Sequence, residues 1–300
     1  NANPGNRIYV RRIDIVGNSV TQDEVIRREL RQFESGWFSA KDINLSQSRL
    51  KRLGYFDDVR IETIPVAGVA DQVDLRVSVR ERRTGSINVG VGYSDAEGVL
   101  YQLGYSQRNF LGTGKQVDLT LDNSDVTDTY EIRYTNPYYT EDGVSRGFSL
   151  RSTQVDSTEA STAEYIADTL EFSLNYKVPI SETNAIHFSA FAENIQLTET
   201  AETPPELEGF IDLHPDNNNF GSRLSFSKNS LDDFIFPTKG FSGNASLEAS
   251  LPGSDLEYYK VNLSGASYLP LGAEMTLHSS IKIGYGDSYG DTAEESLPFY

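Results

Sequence analysis

From Gly85 onward, apolar and polar residues alternate with a period of two in one segment after another. Because successive side chains of a β-strand point to opposite faces of a sheet, this period predicts strands with one apolar and one polar face. We count about eleven such strands of roughly ten residues, which is longer than is usual in soluble sheets and long enough to cross a bilayer at a tilt. Ile186–Leu197 loses phase, since Phe188 and Phe191 have opposite parity, so we expect either a bulge there or a strand assigned in error.

The connections between the predicted strands alternate in length. Asn109–Gly114, Thr140–Gly143 and Leu269–Gly272 are short, whereas Asp156–Glu164 and Thr198–Asn219 are longer and acidic. Short turns at one end and long loops at the other are typical of a transmembrane β-barrel with a polar, wet interior. A large soluble β-sandwich would show the same alternation and stays the alternative. Strand length, aromatic residues near strand ends and the loop asymmetry favour the barrel.

Residues 1–83 have a different pattern, which predicts the order strand, helix, helix, strand, strand. We expect the first helix to begin at a capping box, Thr21–Glu24, and the second to begin at Ser39 and end at Gly54 in the left-handed conformation. Each helix has one apolar face, formed by Ile26, Leu30 and Phe33 in the first and by Ile43, Leu50 and Leu53 in the second. Two amphipathic helices and three strands make a two-layer α+β module.

A three-stranded sheet leaves an open edge, and we expect the shorter strand around Val59–Ile64 to be the unpaired one. The main chain of Val59, Arg60, Ile61 and Glu62 could then accept an extended peptide almost regardless of its sequence. The basic residues of the two helices are expected to form a solvated surface: Arg27, Arg28, Arg31, Arg49, Lys51 and Arg52.

Charge and residue types separate the two parts and exclude several functions. Residues 1–83 carry 15 basic and 12 acidic residues, and residues 84–300 carry 11 and 32, which predicts a domain boundary near residue 83. The acidic second part argues against nucleic-acid binding, which needs clustered Lys and Arg. Cysteine is absent, and the three histidines, His187, His214 and His278, are isolated in sequence. We therefore expect no catalytic residues, metal site or cofactor.

Four segments carry a resemblance to a known family. Arg52–Val59 (RLGYFDDV) resembles part of a POTRA domain, and Asn109–Gly114 (NFLGTG), Thr135–Tyr139 (TNPYY) and Phe236–Gly240 (FPTKG) resemble signatures of the BamA family of outer-membrane assembly factors. The resemblance implies an α+β POTRA domain at residues 1–83, followed by residues 84–300 of an antiparallel transmembrane β-barrel. About the first eleven strands of a sixteen-stranded type would be present.

The sequence also departs from this family, whose members carry several POTRA domains and a Val-Arg-Gly-Phe loop motif that is not found up to Tyr300. The count of eleven strands is also a departure, because these barrels normally have an even number of strands. We therefore expect the sequence to be a fragment of a longer protein.

The resemblance implies insertion and folding of β-barrel proteins in the bacterial outer membrane, with residues 1–83 in the periplasm. Its partners would be unfolded outer-membrane β-barrel proteins, periplasmic accessory lipoproteins and outer-membrane lipid. In the family the first barrel strand forms a lateral gate, which here maps to Ser86, Ile87, Asn88, Val89, Gly90, Val91, Gly92 and Tyr93. Gly90 and Gly92 would weaken that strand.

Three other functions are alternatives. A polypeptide-secretion pore of the same superfamily would have an N-terminal helix that plugs the channel, and residues 1–7 are too short for one. An outer-membrane enzyme such as a lipase would need a serine or aspartate paired with a histidine, and the sequence suggests no such pair. A passive porin would not need the attached soluble module.

Overall fold

The structure, a computed structural model, describes residues 7–159, 165–233, 236–272 and 275–292. The predictions that concern residues 1–6, 160–164 and 297–300 lie outside the described residues. The chain divides into two compact units. The first comprises residues up to Ser86 together with Ser106–Val117, and the second comprises Ile87–Tyr105 and the chain from Asp118 onward.

The first unit has the predicted element order. Its elements are β1 (Tyr9–Val16), α1 (Asp23–Arg27), α2 (Ala40–Leu53), β2 (Phe56–Pro65) and β3 (Gln72–Glu81). The three strands form a sheet in the order β1-β3-β2, in which β3 runs parallel to β1 and antiparallel to β2. The sheet packs against the helices around one apolar core: Val10, Ile13, Val25, Ile26, Leu30, Leu50, Tyr55, Phe56, Val59, Val73, Leu75, Val77 and Val79.

Helix α2 begins and ends as predicted. The Ser39 hydroxyl accepts a hydrogen bond from the Asp42 backbone N–H at 3.2 Å, and Gly54 closes the helix with φ 71°. Because only glycine adopts that conformation without strain, the local sequence determines where α2 stops. Leu50 is fully buried, and Ile43 and Leu53 pack against the same core.

The predicted capping box is wrong. Helix α1 spans only five residues, its N-cap is Gln22, and no side chain caps it. The Thr21 hydroxyl instead accepts a hydrogen bond from the Asn109 side chain, and the Thr21 N–H donates to Glu81, so tertiary partners replace the local ones. The chain leaves the helix soon after Arg27, and Phe33 is 66% exposed rather than inward.

The long sheet contains eleven antiparallel strands in sequential order, as predicted. They are β4 (Gly85–Ser94), β5 (Gly98–Phe110), β6 (Lys115–Asn123), β7 (Thr127–Asn136), β8 (Ser145–Asp156), β9 (Tyr165–Pro179), β10 (Asn184–Glu199), β11 (Asp216–Asn229), β12 (Gly240–Ser250), β13 (Tyr258–Pro270) and β14 (Thr276–Ser288). A helix, α3 (Pro205–Leu213), connects β10 to β11. None of the helices in the described ranges is long and apolar enough to cross a membrane.

The two faces of the long sheet differ as the alternation predicts. One face is apolar and exposed, with Leu150 and Phe172 each about half accessible. The other is polar and contains a cavity of about 570 Å³ whose lining includes Glu131, Arg133, Glu171 and Lys177. On this face Arg133 and Glu131 form an ion pair at 2.5 Å.

Strand β10 is regular, so neither alternative proposed for Ile186–Leu197 is correct. It pairs with β9 and β11 without a register shift. Phe188 lies on the apolar face and Phe191 on the polar face, where the Phe191 side chain is buried. A Cβ atom at Gly221 would lie 2.3 Å from the Phe191 ring, so the absent side chain on β11 makes room for an aromatic ring on the polar face.

The acidic connection Thr198–Asn219 is more ordered than predicted, because it contains α3 and the ends of two strands. Phe210 and Ile211 of α3 pack against Ile195, Leu197 and further apolar side chains in a second buried cluster. Leu207 of α3 packs against the same cluster, and the excess of carboxylates in this segment hides the short apolar stripe.

Candidate functional site

Strand β4 contains all eight residues predicted for the first-strand site. It pairs with β5 alone, so its other edge has no partner strand within the described chain. Ile87, Val89, Val91 and Tyr93 are 69–74% exposed, whereas Leu103 on the neighbouring strand is 41% exposed. The site therefore consists of the main-chain N–H and C=O groups along β4 and an exposed apolar face formed by Ile87, Val89, Val91 and Tyr93.

Two residues on the opposite face of β4, Gly90 and Gly92, have no side chain. A Cβ atom at Gly90 would lie 3.5 Å from Gln102, and one at Gly92 would lie 3.5 Å from Leu100. Both are ordinary van der Waals distances, and neither glycine has a positive φ. Space and backbone conformation would therefore both allow alanine. What glycine does here is weaken the strand, because it has more conformational entropy to lose and no side chain to pack.

The second predicted site lies on β2, at an edge of the three-stranded sheet. Strand β1, at the other edge, is covered: the Phe38 N–H donates to Ile8, and Val10 exchanges hydrogen bonds with Ser35 and Gly36. Strand β2 pairs only with β3, so its outer main-chain groups have no partner strand in the part of the chain that the structure describes.

Side chains along β2 alternate between core and solvent. Val59 is buried and Ile61 partly buried, whereas Arg60 and Glu62 are exposed. The Arg60 Nε atom lies 2.9 Å from the Asp58 carboxylate, which holds the guanidinium along its own strand. An added strand would therefore displace no core residue, but it would have to avoid or replace Gln47, whose side-chain amide donates to the Val59 carbonyl oxygen at 2.7 Å.

The turn between β5 and β6 plays a part that sequence analysis missed, although it lies within the quoted NFLGTG segment. Its residues belong to the first unit, where Asn109 is buried. The Asn109 amide donates to the Thr21 hydroxyl at 2.8 Å and accepts from the Gly114 N–H at 2.8 Å. Gly112 accepts from Gln22, and a Cβ at Gly112 would lie 1.9 Å from the Val20 carbonyl oxygen. This turn therefore fits only with glycine.

Glu81 binds the loop Ser19–Thr21, which contains the Thr21 partner of Asn109. Its carboxylate accepts hydrogen bonds from the N–H groups of Ser19, Val20 and Thr21 and from the Ser19 hydroxyl. Burial alone would raise the pKa of Glu81, but these hydrogen bonds outweigh burial and lower the pKa to about 2. The pattern in sequence gave no sign of this role, because Glu81 is 60 residues from Thr21.

Comparison with known proteins gives a family match for each of two parts of the chain. The Omp85 superfamily domain matches residues 109–300, and the POTRA family, described as a surface antigen variable number repeat, matches residues 8–82. The outer membrane protein assembly factor BamA of Neisseria meningitidis is 33% identical over 99% of this chain. The chain spans 38% of the length of that relative.

Solved structures agree. The crystal structure of BamA from Haemophilus ducreyi lacking POTRA domains 1–3 matches with a TM-score of 0.78 and 33% identity, over 95% of this chain and 57% of that one. CdiB from Acinetobacter baumannii matches with a TM-score of 0.60 at 12% identity, over 94% of this chain and 53% of that one, which shows a shared fold alone. The protein is an outer-membrane protein with a periplasmic POTRA domain. The chain belongs to the Omp85 superfamily.

Proposed function

We propose that this protein inserts and folds β-barrel proteins in the bacterial outer membrane, and that the open edge of β4 is the template for the incoming strand. The proposal rests on the weakness of β4, where Gly90 and Gly92 have both the space and the backbone conformation for alanine and yet carry no side chain. The relatives that match the chain at 33% identity, from Neisseria meningitidis and Haemophilus ducreyi, are named as BamA, and the former as an assembly factor.

An open strand edge is costly in hydrocarbon, because each unpaired N–H or C=O group there costs several kcal/mol. An incoming strand that pairs with β4 would satisfy its own edge and that of β4 at the same time. Main-chain groups of Ser86–Tyr93 would therefore carry the activity, without a catalytic side chain or cofactor.

The glycines of β4 support a template that must also release its product. A strand that paired tightly would hold the new barrel, whereas one weakened by Gly90 and Gly92 exchanges partners at a lower cost. The residues around Gly90 and Gly92 leave room for a Cβ atom, so packing does not require glycine at either position.

The edge of β2 would act earlier, in the periplasm. We propose that Val59–Glu62 binds unfolded β-barrel proteins or accessory lipoproteins of the assembly complex by strand addition, since main-chain hydrogen bonds accept many sequences. The exposed Arg60 and Glu62 would lie beside the added strand.

Proline at Val89 tests the template. Proline removes an N–H donor and so a hydrogen bond from a paired strand; Val89→Pro should therefore lower the rate of barrel assembly in liposomes at least tenfold. Val89→Ala removes the side chain and keeps the donor, so we expect less than a twofold effect. Equal rates for the two variants would refute backbone templating.

A cross-linking experiment tests the β2 edge. A photo-cross-linker at Arg60 or Glu62 of the full-length protein should capture a substrate or an accessory lipoprotein, whereas one at exposed Lys41 on α2 should capture much less. Absence of adducts from an active complex would remove the β2 edge from the mechanism. The competing function, a secretion pore, would instead give cross-links to exported polypeptide inside the channel, and Val89→Pro would leave export unchanged.

A further inference from the structure

Arg146 is a cation on the apolar face of the long sheet. It is the second residue of β8 and lies opposite Asn136 on β7 and Tyr176 on β9. The next row of the same face is entirely apolar or aromatic: Tyr134, Phe148 and Leu174. Arg146 therefore lies where the apolar band meets the turn between β7 and β8.

The surroundings of Arg146 are aromatic. Its guanidinium carbon lies 3.8 Å from the centre of the Tyr139 ring and 5.4 Å from that of Phe148. Tyr139 also makes an edge contact with Tyr176, with ring centres 6.3 Å apart and ring planes at 71°. Stacking of this kind holds the guanidinium plane and leaves its N–H groups available at the rim.

Arg146 differs in one respect from arginines on the polar face. Arg133 and Arg151 both reach Glu131, and Arg223 reaches Glu248 at 2.6 Å. Among the described residues, no carboxylate or other acceptor bonds to the Arg146 guanidinium. A cation that faces lipid without a counter-ion is costly, and at the membrane interface the available anion is a lipid headgroup.

We propose that Arg146 binds the phosphate of a glycerophospholipid in the periplasmic leaflet. The turn that contains Tyr139 lies at the end of the sheet where β4 begins, which is the periplasmic end of the strands. A guanidinium binds phosphate through two parallel N–H···O bonds, and Tyr139 holds it in that orientation. The acyl chains would lie along the apolar rows of Phe148 and Leu150. This site does not depend on the assembly activity proposed above.

Native mass spectrometry of the full-length protein in detergent with added phosphatidylglycerol tests the proposal. Arg146→Leu should reduce the fraction of protein that retains one lipid about fivefold, the effect of one interfacial cation. Arg146→Lys should retain less lipid than the unaltered protein and more than Arg146→Leu, because lysine keeps the charge and loses the paired hydrogen bonds. Lys228→Leu is the matched control: Lys228 is also a cation on the apolar face at the periplasmic end, but among the described residues its ammonium group stacks on no ring.

Two further arms decide the chemistry. Diacylglycerol, which lacks the phosphate, should bind the unaltered protein no better than phosphatidylglycerol binds Arg146→Leu. Excess inorganic phosphate should not displace the lipid, and displacement would assign the site to a free anion instead. Equal lipid retention by Arg146→Leu and the unaltered protein would overturn the proposal. Tyr139→Leu, which removes the stacking ring and keeps the charge, supplies a second variant if Arg146→Leu does not fold; retention unchanged in Tyr139→Leu would likewise overturn it.

Discussion

The three-stranded sheet and the eleven-stranded sheet share one sequence pattern and bury opposite faces. In β3, the alternating apolar residues Val73, Leu75, Val77 and Val79 are at most 7% exposed. In the long sheet, Leu150 is 45% exposed and Phe172 is 49% exposed, although they alternate with polar residues in the same way. The period of two therefore shows that the faces differ and leaves open what covers the apolar one.

The difference comes from the elements beside each sheet. In the first unit, α2 supplies Leu50 and packs onto β2, so the apolar face becomes a protein core. In the long sheet, charged side chains such as Glu131 and Arg151 occupy the face that contains the cavity, and the apolar face has lipid as its solvent. A barrel strand and a core strand can thus have the same alternation.

The largest expected effect is at Leu75, which is 2% exposed. Leu75→Ala leaves a cavity in the core and should cost the first unit about 3–5 kcal/mol in free energy of unfolding. Leu150→Ala on the lipid-facing side should cost about 2 kcal/mol, because lipid chains fill the space and only the transfer term remains. Trp37, the one tryptophan of the sequence, lies in the first unit, so its fluorescence in a urea titration follows that unit alone.

In that titration, Leu75→Ala should shift the midpoint and Leu150→Ala should leave it unchanged. The cost at Leu150 is read from the unfolding of the strands by far-ultraviolet circular dichroism. Equal costs for the two variants would contradict the assignment of lipid to the apolar face of the long sheet.

Sequence alone was sufficient wherever the decisive neighbours are local. Ser39 and Gly54 fix the ends of α2 through bonds within a few residues, and strand period fixes the eleven-stranded sheet. The capping box at Thr21 failed because its hydroxyl bonds to Asn109, 88 residues away. Distant partners of this kind leave no periodic signal, and the same holds for the hydrogen bonds to Glu81.

Phe191 gives a second reason for failure. Sequence alone treats an aromatic ring on the polar face as a break in phase, because it cannot show that Gly221 lies beside it on the next strand. The apolar residues of α3 are hidden among carboxylates in the sequence in the same way. The family resemblance maps the first barrel strand to Ser86–Tyr93, and its role as a gate stays a prediction, whereas the cover that Ser35–Phe38 gives β1 required the structure.

An intermediate effect is expected from one substitution made at two glycines of the long sheet. Gly221→Ala would bring a Cβ within 2.3 Å of the Phe191 ring and 2.9 Å of the Ala249 carbonyl oxygen, so it should destabilise the sheet by about 1–3 kcal/mol. Gly90→Ala fits at 3.5 Å from Gln102 and should stabilise it by about 0.5–1 kcal/mol.

Thermal unfolding in detergent measures both variants, and assembly in liposomes tests the proposed role of Gly90. We expect Gly90→Ala to raise the unfolding temperature and slow the release of the folded product. A Gly90→Ala protein that is both more stable and equally fast would show that weakness of β4 is not needed.

The smallest expected effect concerns Glu81 and pH in the first unit. Because hydrogen bonds lower the pKa of Glu81 to about 2, below its ordinary 4.5, the folded state binds fewer protons than the unfolded state between these values. The contribution of Glu81 to stability is therefore complete above about pH 5 and is lost as the pH falls towards 2. Glu81→Gln should cost about 1 kcal/mol at neutral pH and flatten the pH dependence of the Trp37 transition.

Asp71→Asn is the matched control, since Asp71 is an exposed carboxyl in the turn before β3. Asp71→Asn should leave unchanged the loss of stability of the first unit at low pH, which we call the acid limb. Glu81→Gln should remove part of that loss. If both variants keep the same limb, the loop from Ser19 to Thr21 is held by other contacts. The long sheet offers a second comparison, because its unfolding should not respond to Glu81→Gln at any pH. A response there would mean that the loop at Thr21 and the turn at Asn109 transmit the loss of stability into the strands that the turn connects.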